Sequence, residues 1–199
     1  MVKFIFIPGF INSVELATAP SDLEIVGFNQ LLRDNNPALD QKLTFDDQYD
    51  YLEKQLNRSN RYIAFGDSMG ATFATYLAFQ NPKNIIGLVF GDYVPRYQKL
   101  TTRWVDQMMQ IEQKSVDNTV IKGLARDSKE IDFTEILLSL HCPIMILKGE
   151  KSRFSFEQLP KRLRADCRII PNAGHDIFQP QPDIVWKHIS DFARKISPL

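Results

Sequence analysis

Short runs of apolar, β-branched and aromatic side chains punctuate the chain at 3–7, 23–27, 62–65, 86–90, 143–147 and 167–170. Within each run hydrophobicity is nearly continuous rather than alternating, as expected of strands buried on both faces. Helical spacing takes over between them. Residues 45–56 set Tyr49, Leu52 and Leu56 on one helical face, and Pro182 opens a C-terminal helix carrying Val185, Ile189, Phe192 and Ile196 at the same period. Strands alternating with helices predict the α/β class, a doubly wound and mostly parallel sheet with helices on both faces.

One stretch breaks the alternation. Residues 95–140 separate two strands by far more than an ordinary crossover, and Leu100, Trp104, Met108 and Ile111 form a helical stripe within it. This predicts a small inserted helical cap. Taken singly, each side chain of the stripe reads as core packed on the body; taken together, their remaining apolar atoms would wall a pocket beneath. A chain of 199 residues fits a single domain, 1–199, with the cap at 95–140.

Charge removes several function classes. Lysine plus arginine and aspartate plus glutamate both number 24, so no global field recruits nucleic acid or an anionic membrane. The apolar N-terminal run is broken by Pro8-Gly9 before it reaches the length of a signal segment, which leads us to expect a soluble, cytoplasmic protein. Cys142 and Cys167 have no spacing that suggests zinc or a redox pair, and they read as small apolar side chains. No metal or cofactor is called for.

The chemistry is concentrated at Gly66-Asp67-Ser68-Met69-Gly70, between the apolar run 62–65 and a helical stretch in which Ala71, Ala74 and Ala78 allow close packing. A strand that turns abruptly into a helix there would expose the Ser68 hydroxyl beside the backbone N–H of Met69, the geometry of a serine nucleophile. Such a hydroxyl needs a base. Of the three histidines, His141 stands at the entry of a strand and His188 inside the C-terminal helix, whereas His175 follows the exit of the last strand, where site loops of open α/β sheets converge. The imidazole in turn needs a carboxylate, and both Asp92 and Glu150 lie at strand exits on the same edge.

Over almost its whole length the chain resembles the α/β-hydrolase family. The matching parts are Phe4 to Phe10 with its Pro8-Gly9, the elbow at Ser68, the late strand 143–150, and Gly174-His175-Asp176, in the family's order of nucleophile, acid and histidine. The resemblance implies an oxyanion hole made from the backbone N–H groups of Met69 and Phe10. It also implies a shortened sheet of about six strands, because the two strands that usually precede residue 4 are missing. The usual acid position is occupied by Ser152. A variant with the acid one strand earlier matches Gly91-Asp92-Tyr93, which favours Asp92 over Glu150. Asp67, at a position often histidine in relatives, is expected to turn away from His175 and matter little.

Ser68 with His175 would support acyl transfer to water from an ester or thioester. Trp104, Met108 and Met109 suggest a mainly apolar acyl or alcohol group. Two alternatives stay open: an editing thioesterase acting on an acyl carrier protein, with Arg96, Lys99, Arg103, Lys161, Arg162 and Arg164 as a basic rim, and a receptor-like homologue with little turnover, suggested by the missing acid at Ser152.

Overall fold

A computed structural model describes residues 3–9, 19–21, 23–28, 42–93, 96–111, 116–179 and 181–197. Six parallel strands form the main sheet: β1 (Lys3–Ile7), β2 (Glu24–Gly27), β3 (Tyr62–Asp67), β4 (Ile85–Gly91), β7 (Ile144–Gly149) and β8 (Asp166–Ile170), in the order β2-β1-β3-β4-β7-β8. The order reverses at β1, so the crevice above β1 and β3 is where an open sheet of this kind accepts ligands.

The continuous apolar runs have a simple origin. Successive side chains of a strand point to opposite faces, and here both faces are covered. Ile5, Ile7, Ala64, Leu88, Phe90 and Ile146 point into one core, and Phe4, Phe6, Ile63, Phe65, Val89 and Leu147 into the other. The first core is closed by α1 (Phe45–Glu53) and α2 (Gly70–Gln80), and the second by Val185, Trp186, Ile189 and Phe192 of α6 (Pro182–Ile196). Each large apolar side chain so enclosed contributes about 1.5–3 kcal/mol.

Helix α1 stops earlier than its apolar spacing predicts. Thr44 and Asp47 form a capping box at its start, but after Glu53 the amides of Gln55 and Leu56 bond to Leu52 and Glu53, tightening the chain out of the helix. Leu56 is buried from the turn instead.

Between β4 and β7 come β5 (Arg96–Tyr97), α3 (Thr102–Met109), α4 (Asn118–Asp127), β6 (Ile131–Asp132) and α5 (Thr134–Ser139), with β5 and β6 paired antiparallel. Much of this insertion is built into the body. Tyr97, Leu124, Phe133 and Leu137 belong to the first core, where Phe45 stacks on Phe73 at 5.0 Å and meets Phe133 at 5.1 Å and Tyr97 at 5.2 Å.

Candidate active site

The elbow is set by close approach of backbone to backbone. A Cβ on Gly70 would lie 2.1 Å from the Ile7 carbonyl oxygen, and one on Gly66 would lie 2.4 Å from Ala71 Cα, so β3 can feed α2 against β1 only through glycines. Ser68 between them takes a left-handed backbone with φ 49°, its N–H donating to Gly91 O at 2.9 Å. The strained turn lifts Oγ clear of the sheet.

Three side chains from three strand exits meet there. Ser68 Oγ is 2.9 Å from His175 Nε2, and His175 Nδ1 is 2.8 Å from Asp92 Oδ2. Asp92 is buried and also has a left-handed backbone, φ 48°, with its N–H donating to Leu147 O at 2.7 Å. Its Oδ1 accepts from the Gly149 N–H at 2.9 Å, and its Oδ2 also accepts a hydrogen bond from Ser152 Oγ. An Nδ1–H aimed at this carboxylate leaves Nε2 free to accept the serine proton. The pKa of His175 is raised from its ordinary 6.5, first by the hydrogen bond to Asp92 and then, against the opposing effect of burial, by the charges of Asp92, Asp67 and Asp176.

Glu150 lies elsewhere. Its Oε2 accepts from the Asn172 N–H at 2.8 Å, which ties the end of β7 to the loop after β8; the carboxylate that meets the imidazole is that of Asp92. His141 is exposed before β7, and His188 lies on α6.

Asp67 adds its charge to those that raise the His175 pKa, behind the larger effects of Asp92. The Asp67 carboxyl is buried, accepts a hydrogen bond from the Gly9 N–H, and has its pKa pushed up to about 7, chiefly by burial and partly offset by His175. Gly9 itself adjoins Ser68: a Cβ there would lie 3.0 Å from Ser68 Cβ. Phe10, the other expected oxyanion donor, lies outside the described residues. Met69 sits at the first turn of α2, where intrahelical bonding leaves backbone N–H groups unused.

Comparison with known proteins returns structures only; no family model and no curated protein matches the chain. MenH from S. aureus superposes with a TM-score of 0.77 at 16% identity, covering 98% of this chain and 94% of that one. E-2-(acetamidomethylene)succinate hydrolase gives 0.70 at 18%, covering 96% and 91%. An alpha/beta superfamily hydrolase from Oenococcus oeni PSU-1 gives 0.70 at 14%, covering 98% and 93%. The chain has the α/β-hydrolase fold.

In this α/β-hydrolase fold the space beside His175 differs from the expected apolar pocket. A cavity of about 720 Å³ is walled by His175, Asp92, Ser152, Tyr93 and Phe154 together with several charged and amide side chains. Trp104, Met108 and Met109 are not part of that wall; they are partly buried against the first core, because the amphipathic face of α3 is spent on the body. Among the described residues no helix is long and apolar enough to cross a membrane, and no cluster of His, Cys, Asp or Glu is placed to hold a metal. Sequence reasoning missed the bond from Ser152 to Asp92 and the buried state of Asp67. For Ser152 a signal existed, since it stands where the usual acid would; for Asp67 there was none beyond its place before the serine.

Proposed function

We propose that the protein is a serine hydrolase that cleaves a carboxylic ester or thioester through an acyl-enzyme on Ser68. The observation that carries this reading is the unbroken chain from Ser68 Oγ to His175 Nε2 at 2.9 Å and from His175 Nδ1 to Asp92 Oδ2 at 2.8 Å. His175 takes the Ser68 proton as Oγ attacks the carbonyl carbon, then gives that proton to the departing alcohol or thiol. In the second half His175 takes a proton from water, whose oxygen attacks the acyl carbon, and returns it to Ser68 as the acid leaves. The Met69 N–H, with the Phe10 N–H implied by the family resemblance, would receive the charge on the carbonyl oxygen; each such donor is worth about a hundredfold to a thousandfold. Two of the structural neighbours described above carry hydrolase in their names, which agrees with this chemistry.

Ser152 in the usual acid position is the sequence's one argument for a silent, receptor-like protein. Asp92 against His175 supports the enzyme reading instead. The test is labelling with a fluorophosphonate and turnover of short 4-nitrophenyl esters. Both should vanish in Ser68→Ala, with turnover falling by about a millionfold. A folded wild-type protein that neither labels nor turns over any ester would overturn the assignment.

A further inference from the structure

The cavity beside His175 contains charges whose partners divide them into two groups. Arg96 is paired with Glu130 at 3.1 Å, and Asp132 accepts from the Thr134 N–H at 2.8 Å, capping the start of α5. Asp92 is committed to His175, Ser152 and the Gly149 N–H. Lys151 and Arg153 remain. Both line the cavity, and among the described residues no ion pair or side-chain hydrogen bond engages either one. Among the described wall residues, Lys151 and Arg153 are thus the cations without a carboxylate partner.

The backbone that carries these two cations is held in place. The Lys151 N–H donates to Ala173 O at 2.9 Å, on the loop that bears His175; the Ser152 N–H donates to Gly149 O at 3.0 Å; and the Phe154 N–H donates to Ser152 Oγ at 3.0 Å. Ser152 Oγ in turn bonds Asp92. The segment is thus tied both to the base and to the carboxylate that orients it. Tyr93 is fixed across the cavity by its O–H donating to Arg96 O at 2.8 Å, and Phe154 is buried. A cavity of about 720 Å³ has room for the non-reacting part of a small substrate. Two cations on a fixed loop, next to aromatic walls, suit a carboxylate or phosphate, since charge-assisted hydrogen bonds to an anion are about twice as strong as neutral ones.

We propose that this cavity is the subsite for an anionic group, a carboxylate or a phosphate, on the substrate cleaved at Ser68, with Lys151 and Arg153 as its receptors. The proposal rests on the hydrolase reading and replaces the apolar substrate expected from the helical stripe. The anion can belong to the acyl group or to the leaving group, and the two sources can be told apart.

The experiment compares two matched pairs: 4-nitrophenyl hydrogen succinate against its neutral methyl ester, and S-acetyl pantetheine 4′-phosphate against S-acetyl pantetheine. For one pair, kcat/KM of the anionic member should exceed that of the neutral member by at least about tenfold at low salt, and the preference should fall as salt rises. The pair that responds identifies the source of the anion. In the Lys151→Ala/Arg153→Ala variant the ratio should drop to within about twofold of unity, and Arg153→Glu should reverse it, whereas Lys187→Ala on α6 should keep it. Equal rates in both pairs, or a preference that survives the double variant, would overturn the subsite while Ser68-dependent turnover of the neutral ester leaves the hydrolase reading standing. No turnover of any of the four and no labelling of Ser68 would overturn both.

Discussion

Ser152 Oγ and His175 Nδ1 share one acceptor, Oδ2 of Asp92, although Ser152 follows Asp92 by 60 residues. The strand exit that bears Ser152 therefore reaches the same point as the one that bears the carboxylate. A serine there donates to the acid, and an acid there could stand in its place.

Removal of the Asp92 charge should cost far more than removal of the Glu150 charge. Asp92→Asn is expected to lower turnover by about ten-thousandfold, because the amide presents a donor to Nδ1 and favours the wrong tautomer. Glu150→Gln weakens only the tie to the Asn172 N–H and should cost less than about tenfold. Steady-state rates on one ester decide it, and the reverse ranking would move the acid to Glu150.

The shared acceptor also predicts a transplant. Asp92→Ser should be nearly inactive, and adding Ser152→Asp should recover at least about tenfold in kcat, since the new carboxyl starts from a side chain already in reach of the same oxygen position. A double variant no better than Asp92→Ser would show that the second exit cannot orient the imidazole.

The proposed mechanism requires neutral His175, and its partners hold the proton on to higher pH than the ordinary 6.5. The acid limb of kcat/KM against pH should therefore bend above that value. Asp67→Asn removes one of the negative charges favouring the imidazolium, so the limb should move to lower pH. An unmoved limb would place Asp67 outside the ionisation of the site.

Asp67 also predicts an unusual dependence of stability on pH. Its carboxyl titrates near 7 when folded against an ordinary 3.8, so the folded state binds the extra proton between those values and this contribution to stability declines as pH rises through that window. Asp67→Asn keeps an acceptor for the Gly9 N–H without the buried charge. Its gain in Tm over wild type should be on the order of 5 °C at pH 8 and should shrink toward pH 4. Scanning calorimetry at both pH values checks this; an equal shift at both would assign the effect to packing rather than to charge.

Ser68 and His175 were legible in the sequence because their chemistry is marked locally. Gly66 and Gly70 flank a serine between an apolar run and a helix, and His175 follows the last apolar run by a few residues. The choice between Asp92 and Glu150 was not decided by local pattern, since each follows a strand. What separates them is that β4 lies next to β3 in the sheet, and that Glu150 is taken by Asn172. The stripe through Trp104 and Met108 shows the opposite limit: helical spacing reveals that a face is buried, not which surface it is buried against.

The α/β class, the six parallel strands and the candidate positions of Ser68 and His175 were readable along the chain, because each is marked by periodicity or by a neighbouring glycine. Packing alone shows that Ser152 bonds Asp92, that Asp67 lies buried against Gly9 next to Ser68, and that Lys151 and Arg153 line the cavity beside His175. Those relationships join residues far apart in the chain, and the packing of strand exits that brings them together leaves no mark on the spacing along it.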